Sequence, residues 1–263
     1  NHMTDLGMPT LIELPEMEDC AALCAELGLQ FVELNMNMPE YQADRLDVNR
    51  LTKLSEKYGI YYTIHLDENL NVSDFNRHVA DAYINTVQET ISIARRLQAP
   101  VLNMHLSQGV YFTLPDRRVF LFEEYPDQYL ESIRLFRDIS EKMIAMGNIK
   151  ICVENSGGYT SFQQRAIALL LESPVFALTF DIGHNHCIGG ADEPVILQHR
   201  DRLCHFHFHD ALDKKDHLPL EAGEIDLRKY LQMAKQTASR IVLETKTVSG
   251  LRESVRWIKS HSV

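Results

Sequence analysis

The sequence predicts an α/β protein built as a single (β/α)8 TIM barrel over residues 4–263. Strand-like apolar runs alternate throughout with segments whose apolar residues recur at helical spacing. Counted along the 263 residues these make eight βα units, a number that favours a closed barrel over an open doubly wound sheet. No G-x-G-x-x-G follows the first strand, which argues against a dinucleotide-binding sheet.

The units follow in order. LIEL, ending at Leu14, reads as the first strand, with Leu23 and Leu27 on the helix after it. FVEL, ending at Leu34, is the second, followed by a helix from Leu46 to Leu54. YYTIH ends at His65 and leads, with Asp74 as a cap, into a long helix from Val79 to Leu97. VLNMH ends at His105, and a long connection from Gln108 to Asp127 precedes a helix from Tyr129 to Met146. IKICVE ends at Glu154 before a helix from Phe162 to Leu171, and FALTFD ends at Asp181 before one from Pro194 to Arg202. LCHFH ends at His207 before a helix from Leu227 to Ala238; RIVLE ends at Glu244 before Leu251 to Ile258. Gly28, Gly59 and Gly147 follow helix ends, where positive φ is needed. No linker divides the chain.

Six of these runs therefore end in a residue that binds metals or moves protons: His65, His105, Glu154, Asp181, His207 and Glu244. Asp plus Glu number 37 and His 12 among 263 residues. At that frequency, six hits in eight strand ends have a chance probability of about 0.001. A barrel gathers the C-terminal ends of its strands on one face, so these side chains should converge. Two unit charges ~4 Å apart repel by about 4 kcal/mol at an effective dielectric of about 20, so three ionised carboxylates together require protons or a cation. Few Lys or Arg lie near these ends, which weakens the alternative of a polar rim neutralised by ion pairs. With His207 as fourth donor, Glu154, Asp181 and Glu244 suit one divalent ion, Mn2+, Co2+ or Zn2+ in preference to Mg2+.

Composition narrows the function classes. A formal net charge of -11 disfavours a nucleic-acid partner, and the longest basic clusters, Arg117-Arg118 and Lys214-Lys215, are only pairs. No apolar stretch is long enough to span a bilayer and no signal-peptide pattern opens the chain, so a soluble cytoplasmic protein with no membrane partner is expected. Asn1, His2 and Met3 read as an expression-tag remnant. Cys20, Cys24, Cys152, Cys187 and Cys204 are odd in number, form no C-x-x-C pair and read as reduced core residues.

The segments VEN (Val153 to Asn155), FDIGH (Phe180 to His184), HFHD (His207 to Asp210), DHLPLEAGEID (Asp216 to Asp226) and the strand-terminal Glu244 resemble the xylose isomerase-like barrel superfamily. That group includes sugar isomerases, tagatose and psicose 3-epimerases, inosose dehydratases and endonuclease IV, and the resemblance covers essentially the whole chain. It implies a metal site of Glu154, Asp181, His207 and Glu244, with Glu154 and Glu244 also acting as an acid/base pair on opposite faces of a sugar. His184 matches a histidine that contacts substrate in epimerases and metal in endonuclease IV. A basic residue that tagatose-type epimerases carry shortly after the metal histidine is absent, its place falling near Asp213. The three-zinc set of endonuclease IV is matched by His65, His105, Glu154, Asp181, His184, His207, His217 and Glu244. Its remaining aspartate falls on Lys215, with Asp213 or Asp216 as substitutes after a loop shift. A second metal near His65 and His105 is thus an expectation of the resemblance.

Alternation along His205-Phe206-His207-Phe208-His209 puts the three histidines on one face and the phenylalanines on the other. Periodicity does not choose between His207 and His209; the resemblance selects His207, leaving His205 in the barrel interior and His209 as its support. Lys246 faces the same way as Glu244 and is placed either to contact a sugar hydroxyl or to pair with a surface carboxylate. His65, His105, His184, His217 and Lys246 are the substrate-binding candidates. His78 and His199 fall on helices and read as surface residues. The connection from Gln108 to Asp127, with Tyr111, Phe112, Phe120, Phe122 and Tyr125, reads as a lid over the site or as a contact in a homo-oligomer. The expected function is a divalent-metal-dependent isomerase or epimerase of carbohydrate metabolism, acting on a sugar or polyol. The alternatives are an endonuclease IV-like zinc phosphodiesterase and an inosose dehydratase-like lyase.

Overall fold

Parallel strands close on themselves in a computed structural model that describes residues 4–261. Asn1, His2 and Met3, read above as a tag remnant, lie outside the described residues. The first half runs β1 (Leu6–Pro9), α1 (Met17–Glu26), β2 (Phe31–Asn35), α2 (Val48–Tyr58), β3 (Tyr61–His65), α3 (Arg77–Leu97) and β4 (Val101–His105). Next come β5 (Tyr111–Thr113), β6 (Arg118–Phe120), α4 (Leu121–Glu124), α5 (Pro126–Ile144), β7 (Lys150–Glu154), α6 (Ser161–Leu170) and β8 (Phe176–Asp181). The last third holds α7 (Ile182–Cys187), α8 (Glu193–Leu197), β9 (Leu203–Phe208), β10 (Asp210–Leu212), β11 (Lys215–Leu218), α9 (Leu227–Gln236), β12 (Arg240–Leu243) and α10 (Val248–His261). Around the barrel the order is β1-β2-β3-β4-β7-β8-β9-β12, with β12 closing onto β1, and every pairing is parallel. The expected (β/α)8 barrel is the observed fold.

Caps and burial stripes explain the helices. Asp47, Asn76 and Asp226 each accept a backbone N–H at a helix start, and Thr160 with Gln163 forms a reciprocal capping box on α6. On α3 the residues Ala80, Ile84, Val87, Ile91 and Ala94 are buried, a stripe at helical spacing that faces the strands. Among the described residues no helix is long and apolar enough to cross a membrane.

Four local expectations are corrected. LIEL is not the first strand: it forms a turn with Leu14 N–H donating to Leu11 O, and Ile12 is 79% exposed. The strand is LGMP, hidden from a hydrophobicity reading because Gly7 carries no side chain. That glycine is needed, since a Cβ there would collide with the buried Phe31 ring. Asp74 does not cap α3; Asn76 does, and Asp74 accepts the Asn76 N–H at 2.7 Å. Gly28 and Gly59 adopt positive φ, but after α5 it is Ala145, at φ 53°, that does so in place of Gly147. The helix expected from Pro194 to Arg202 is split into α8 and a 3-10 turn over Arg200–Arg202.

The long connection after β4 is ordered. β5 and β6 form an antiparallel hairpin, rooted by Phe120 and Phe122 against Phe162 and by Phe122 stacked 4.4 Å from Tyr129. Tyr111 and Phe112 point to solvent, 45% and 56% exposed.

Candidate metal centre

The ladders of β7, β8, β9 and β12 fix where the candidate ligands meet. Asp181 lies beside His207 in register, and His207 beside Val242, two residues before Glu244. Glu154 ends β7 next to His105 of β4. The His207 Nδ1 is 2.6 Å from Glu244 Oε2, 2.7 Å from Glu154 Oε1 and 3.8 Å from Asp181 Oδ2. One donor atom from each of the four residues falls within 4.8 Å of all the others.

The donor set fits a divalent cation on an observation independent of its spacing. Asp181 Oδ2, His207 Nδ1 and Glu244 Oε2 are buried and make no well-aligned hydrogen bond, although Nδ1 and Oε2 lie only 2.6 Å apart. Buried polar atoms are almost always paired, so three such atoms aimed at one volume mark a position for a charged ligand. Burial drives the His207 imidazole towards neutrality, but the carboxylates of Glu244, Glu154 and Glu33 outweigh it and raise its pKa well above the usual range. A proton on His207 and a metal ion held there would compete for the same atom.

Neighbouring groups hold the ligands in place. Asp181 Oδ1 accepts the His184 backbone N–H at 2.8 Å, capping α7, and meets His209 Nε2 at 2.7 Å, which leaves Oδ2 directed inward. His209 fits there because residue 183 is glycine: a Cβ on Gly183 would collide with the imidazole. The Asn155 side chain brackets the Asp181 backbone, donating to its C=O and accepting its N–H at 2.7 Å. Asn103 donates to Glu154 Oε1 at 2.8 Å.

Glu33 is the residue that sequence reasoning missed. It sits mid-strand in β2, 2% exposed, with Oε2 2.8 Å from His207 Nε2 and Oε1 2.8 Å from His205 Nε2. Burial pushes its carboxyl up, yet His207 and His205 hold it below the usual carboxylate range. Glu33 therefore takes the Nε2–H of His207 and turns Nδ1 towards the cluster, the arrangement by which a carboxylate orients a metal-binding imidazole. Its sequence signal is a lone acid at an inward position of an apolar strand, away from the strand end.

The model of the family described as "Xylose isomerase-like TIM barrel" matches residues 21–261. The chain belongs to that family. An uncharacterized protein of Methanocaldococcus jannaschii is 24% identical over 243 residues, covering 88% of this chain and 83% of its own. The crystal structure of a D-tagatose 3-epimerase-like protein superposes with a TM-score of 0.79 at 20% identity, covering 98% of this chain and 96% of that one. That of 3-keto-D-glucoside 4-epimerase from E. coli gives 0.76 at 12% identity, covering 98% and 99%. At these identities the structures establish a shared fold, and sugar epimerases are among the proteins that have it.

Within this xylose isomerase-like barrel the remaining candidates ring the four donors. His105 Nε2 is 2.9 Å from Glu154 Oε2 and His65 Nε2 is 3.8 Å from Oε1; with Glu154 they form a second compact donor group. His184 Nδ1 lies 3.2 Å from Asp181 Oδ2, and although burial opposes it, Asp181 and Glu154 raise its pKa to about 11. His217, on the β10–β11 hairpin, stacks 4.3 Å from His209 and places Nε2 3.6 Å from Glu244 Oε1. It does so at φ 57°, a conformation unusual for a side-chain-bearing residue, with its N–H donated to His209 Nδ1. Lys215 is exposed, whereas Asp216 approaches His184 at 3.9 Å and His217 at 2.7 Å. His184, His209 and His217 form a third group, but both His209 nitrogens are already engaged. Lys246 is exposed at the mouth, lining a cavity of about 150 Å³ with Glu244, His65, Glu68 and Ile12. A polar groove of about 520 Å³ leads away from His105 past Ser107, Gln108 and Gly109 at the root of the β5–β6 hairpin.

Proposed function

We propose that this protein is a divalent-metal-dependent epimerase or isomerase acting on a sugar or sugar-like polyol, with Glu154 and Glu244 exchanging a carbon-bound proton. The single observation that carries the reading is the convergence of Glu154, Asp181, His207 and Glu244, three of whose buried donor atoms make no well-aligned hydrogen bond. These four residues would hold the ion. A divalent cation there supplies Lewis acidity to a carbonyl or hydroxyl oxygen of the substrate.

The chain's own groups supply the proton chemistry. Glu154 and Glu244 bring separate carboxylates to His207 Nδ1 from β7 and from the end of β12, and in this reading each serves as the base on one face of the sugar carbon. His105 and His184 crowd Glu154, and His217 crowds Glu244, so each glutamate has an imidazole beside it to stabilise its charged form. One glutamate removes the proton and keeps it, while the other, protonated from solvent or a neighbouring imidazole, delivers its own proton to the opposite face, which inverts the carbon; delivery to the neighbouring carbon interconverts aldose and ketose. Lys246, His65 and the polar groove past His105 offer donors and acceptors for hydroxyl groups.

The protein with Mn2+ or Co2+ should therefore interconvert ketose epimers, or aldose and ketose, in D2O with solvent deuterium entering the substrate. No turnover or deuterium incorporation over a broad panel of sugars and polyols would overturn the proposal. Zinc phosphodiester hydrolysis is the second reading, favoured by the His65–His105–Glu154 group. Nicking of abasic DNA by protein loaded with two or three zinc ions would select it.

A further inference from the structure

β8 and β9 pair Leu178 with Leu203 and then Thr179 with His205, so Cys204 is the extra residue of a β-bulge. Pairing on its other side begins only at His205 with Arg240, and Cys204 thus has no ladder partner on either flank. A bulge re-aims the side chain it carries. Here it turns Cys204 onto Cys152 of β7, with the sulfur atoms 3.2 Å apart. The two thiols sit with Val101 and Ala177 in a small apolar cluster separate from the main core. Cys152 is buried, whereas Cys204 is partly exposed as a residue. A hydrogen bond shared with Cys152, in which either sulfur can donate, and then Arg240, Lys150 and Arg202 hold the Cys204 thiol below its usual pKa against the effect of burial. Such a setting favours the nucleophilic thiolate.

We propose that Cys152 and Cys204 are a reversible oxidation site that closes to an intramolecular disulfide when the protein meets a peroxide. The Cys204 thiolate attacks one oxygen of hydrogen peroxide, the O–O bond breaks, and the sulfur becomes a sulfenic acid as hydroxide leaves and is protonated to water. The Cys152 sulfur then attacks the Cys204 sulfur; the S–O bond breaks, water leaves with the thiol proton, and the S–S bond forms. Two thiols are oxidised, one peroxide is reduced and two waters are released. Closing from 3.2 Å to a disulfide bond length requires about 1 Å of travel, which the unpaired bulge residue can supply. The bond would fasten β7, which ends in Glu154, to β9, which carries His207, through a crosslink spanning 52 residues.

The test treats the reduced full chain with stoichiometric hydrogen peroxide and measures intact mass, denatured thiol count and non-reduced peptides. We expect a mass loss of about 2 Da, a fall from five titratable thiols to three, a peptide joining Cys152 to Cys204, and full reversal by dithiothreitol. Cys152→Ser should convert the product to a sulfenic or sulfinic acid on Cys204, and Cys204→Ser should block the reaction at Cys152. An unchanged thiol count, a crosslink through Cys20, Cys24 or Cys187, or sulfinic acid on wild-type Cys204 without a crosslink would overturn the proposal. The wild-type measurement decides the matter even if a serine variant fails to fold, and it does not depend on the sugar assignment.

Discussion

Glu244→Gln is expected to lower solvent-deuterium exchange into substrate by about 10²- to 10⁴-fold, the usual contribution of a positioned acid or base. Glutamine keeps the length and one oxygen of glutamate, so the side chain can still approach His207 Nδ1, from which Glu244 Oε2 lies 2.6 Å. What it loses is the ability to carry a proton. Glu244 is the informative choice of the two glutamates because its side chain is 14% exposed at the mouth of the site, whereas Glu154 is 1% exposed and bonded to Asn103. Run at saturating metal, with the fold checked by circular dichroism, the assay separates proton transfer from ion binding. Exchange at the wild-type rate would remove Glu244 from the chemistry.

Glu33→Ala is expected to weaken divalent-ion binding by about 10- to 100-fold, the usual effect of deleting the partner of a metal-binding imidazole. Without Glu33, the Nε2 atoms of both His205 and His207 lose their 2.8 Å partners inside the barrel. Each unsatisfied buried group costs about 1–3 kcal/mol, so stability should fall as well. The cost has two parts that calorimetry can divide: ion affinity by titration, and stability by thermal unfolding of the metal-free protein. Glu33→Gln retains an acceptor and should recover part of the affinity. A purely structural role for Glu33 would lower the unfolding temperature and leave ion affinity unchanged.

The barrel and the four donors were legible because both rest on patterns that repeat. Alternating strand and helix periods give the topology, and parallel strands bring their C-terminal ends to one rim whatever their separation in sequence. His65, His105, Glu154, Asp181, His207 and Glu244 all sit within one residue of such ends. The errors fall where a tertiary contact overrides local pattern. LGMP is a poor strand by composition yet is chosen over LIEL because Gly7 lets Phe31 pack against it. Glu33 resembles an ordinary strand residue until two histidines from β9, more than 170 positions away, arrive on its carboxylate. That Asp216 is the hairpin acid beside His184 and His217 depends on the β10–β11 pairing, which the local sequence does not reveal.

The most direct measurement is anomalous diffraction from crystals grown with Co2+ or Zn2+. The account predicts a peak about 2.0–2.2 Å from Glu154, Asp181, His207 and Glu244, with His207 bound through Nδ1 and its Nε2 still on Glu33. A peak held only by His65 and His105, or no peak among the four side chains in protein that has taken up the ion, would contradict it.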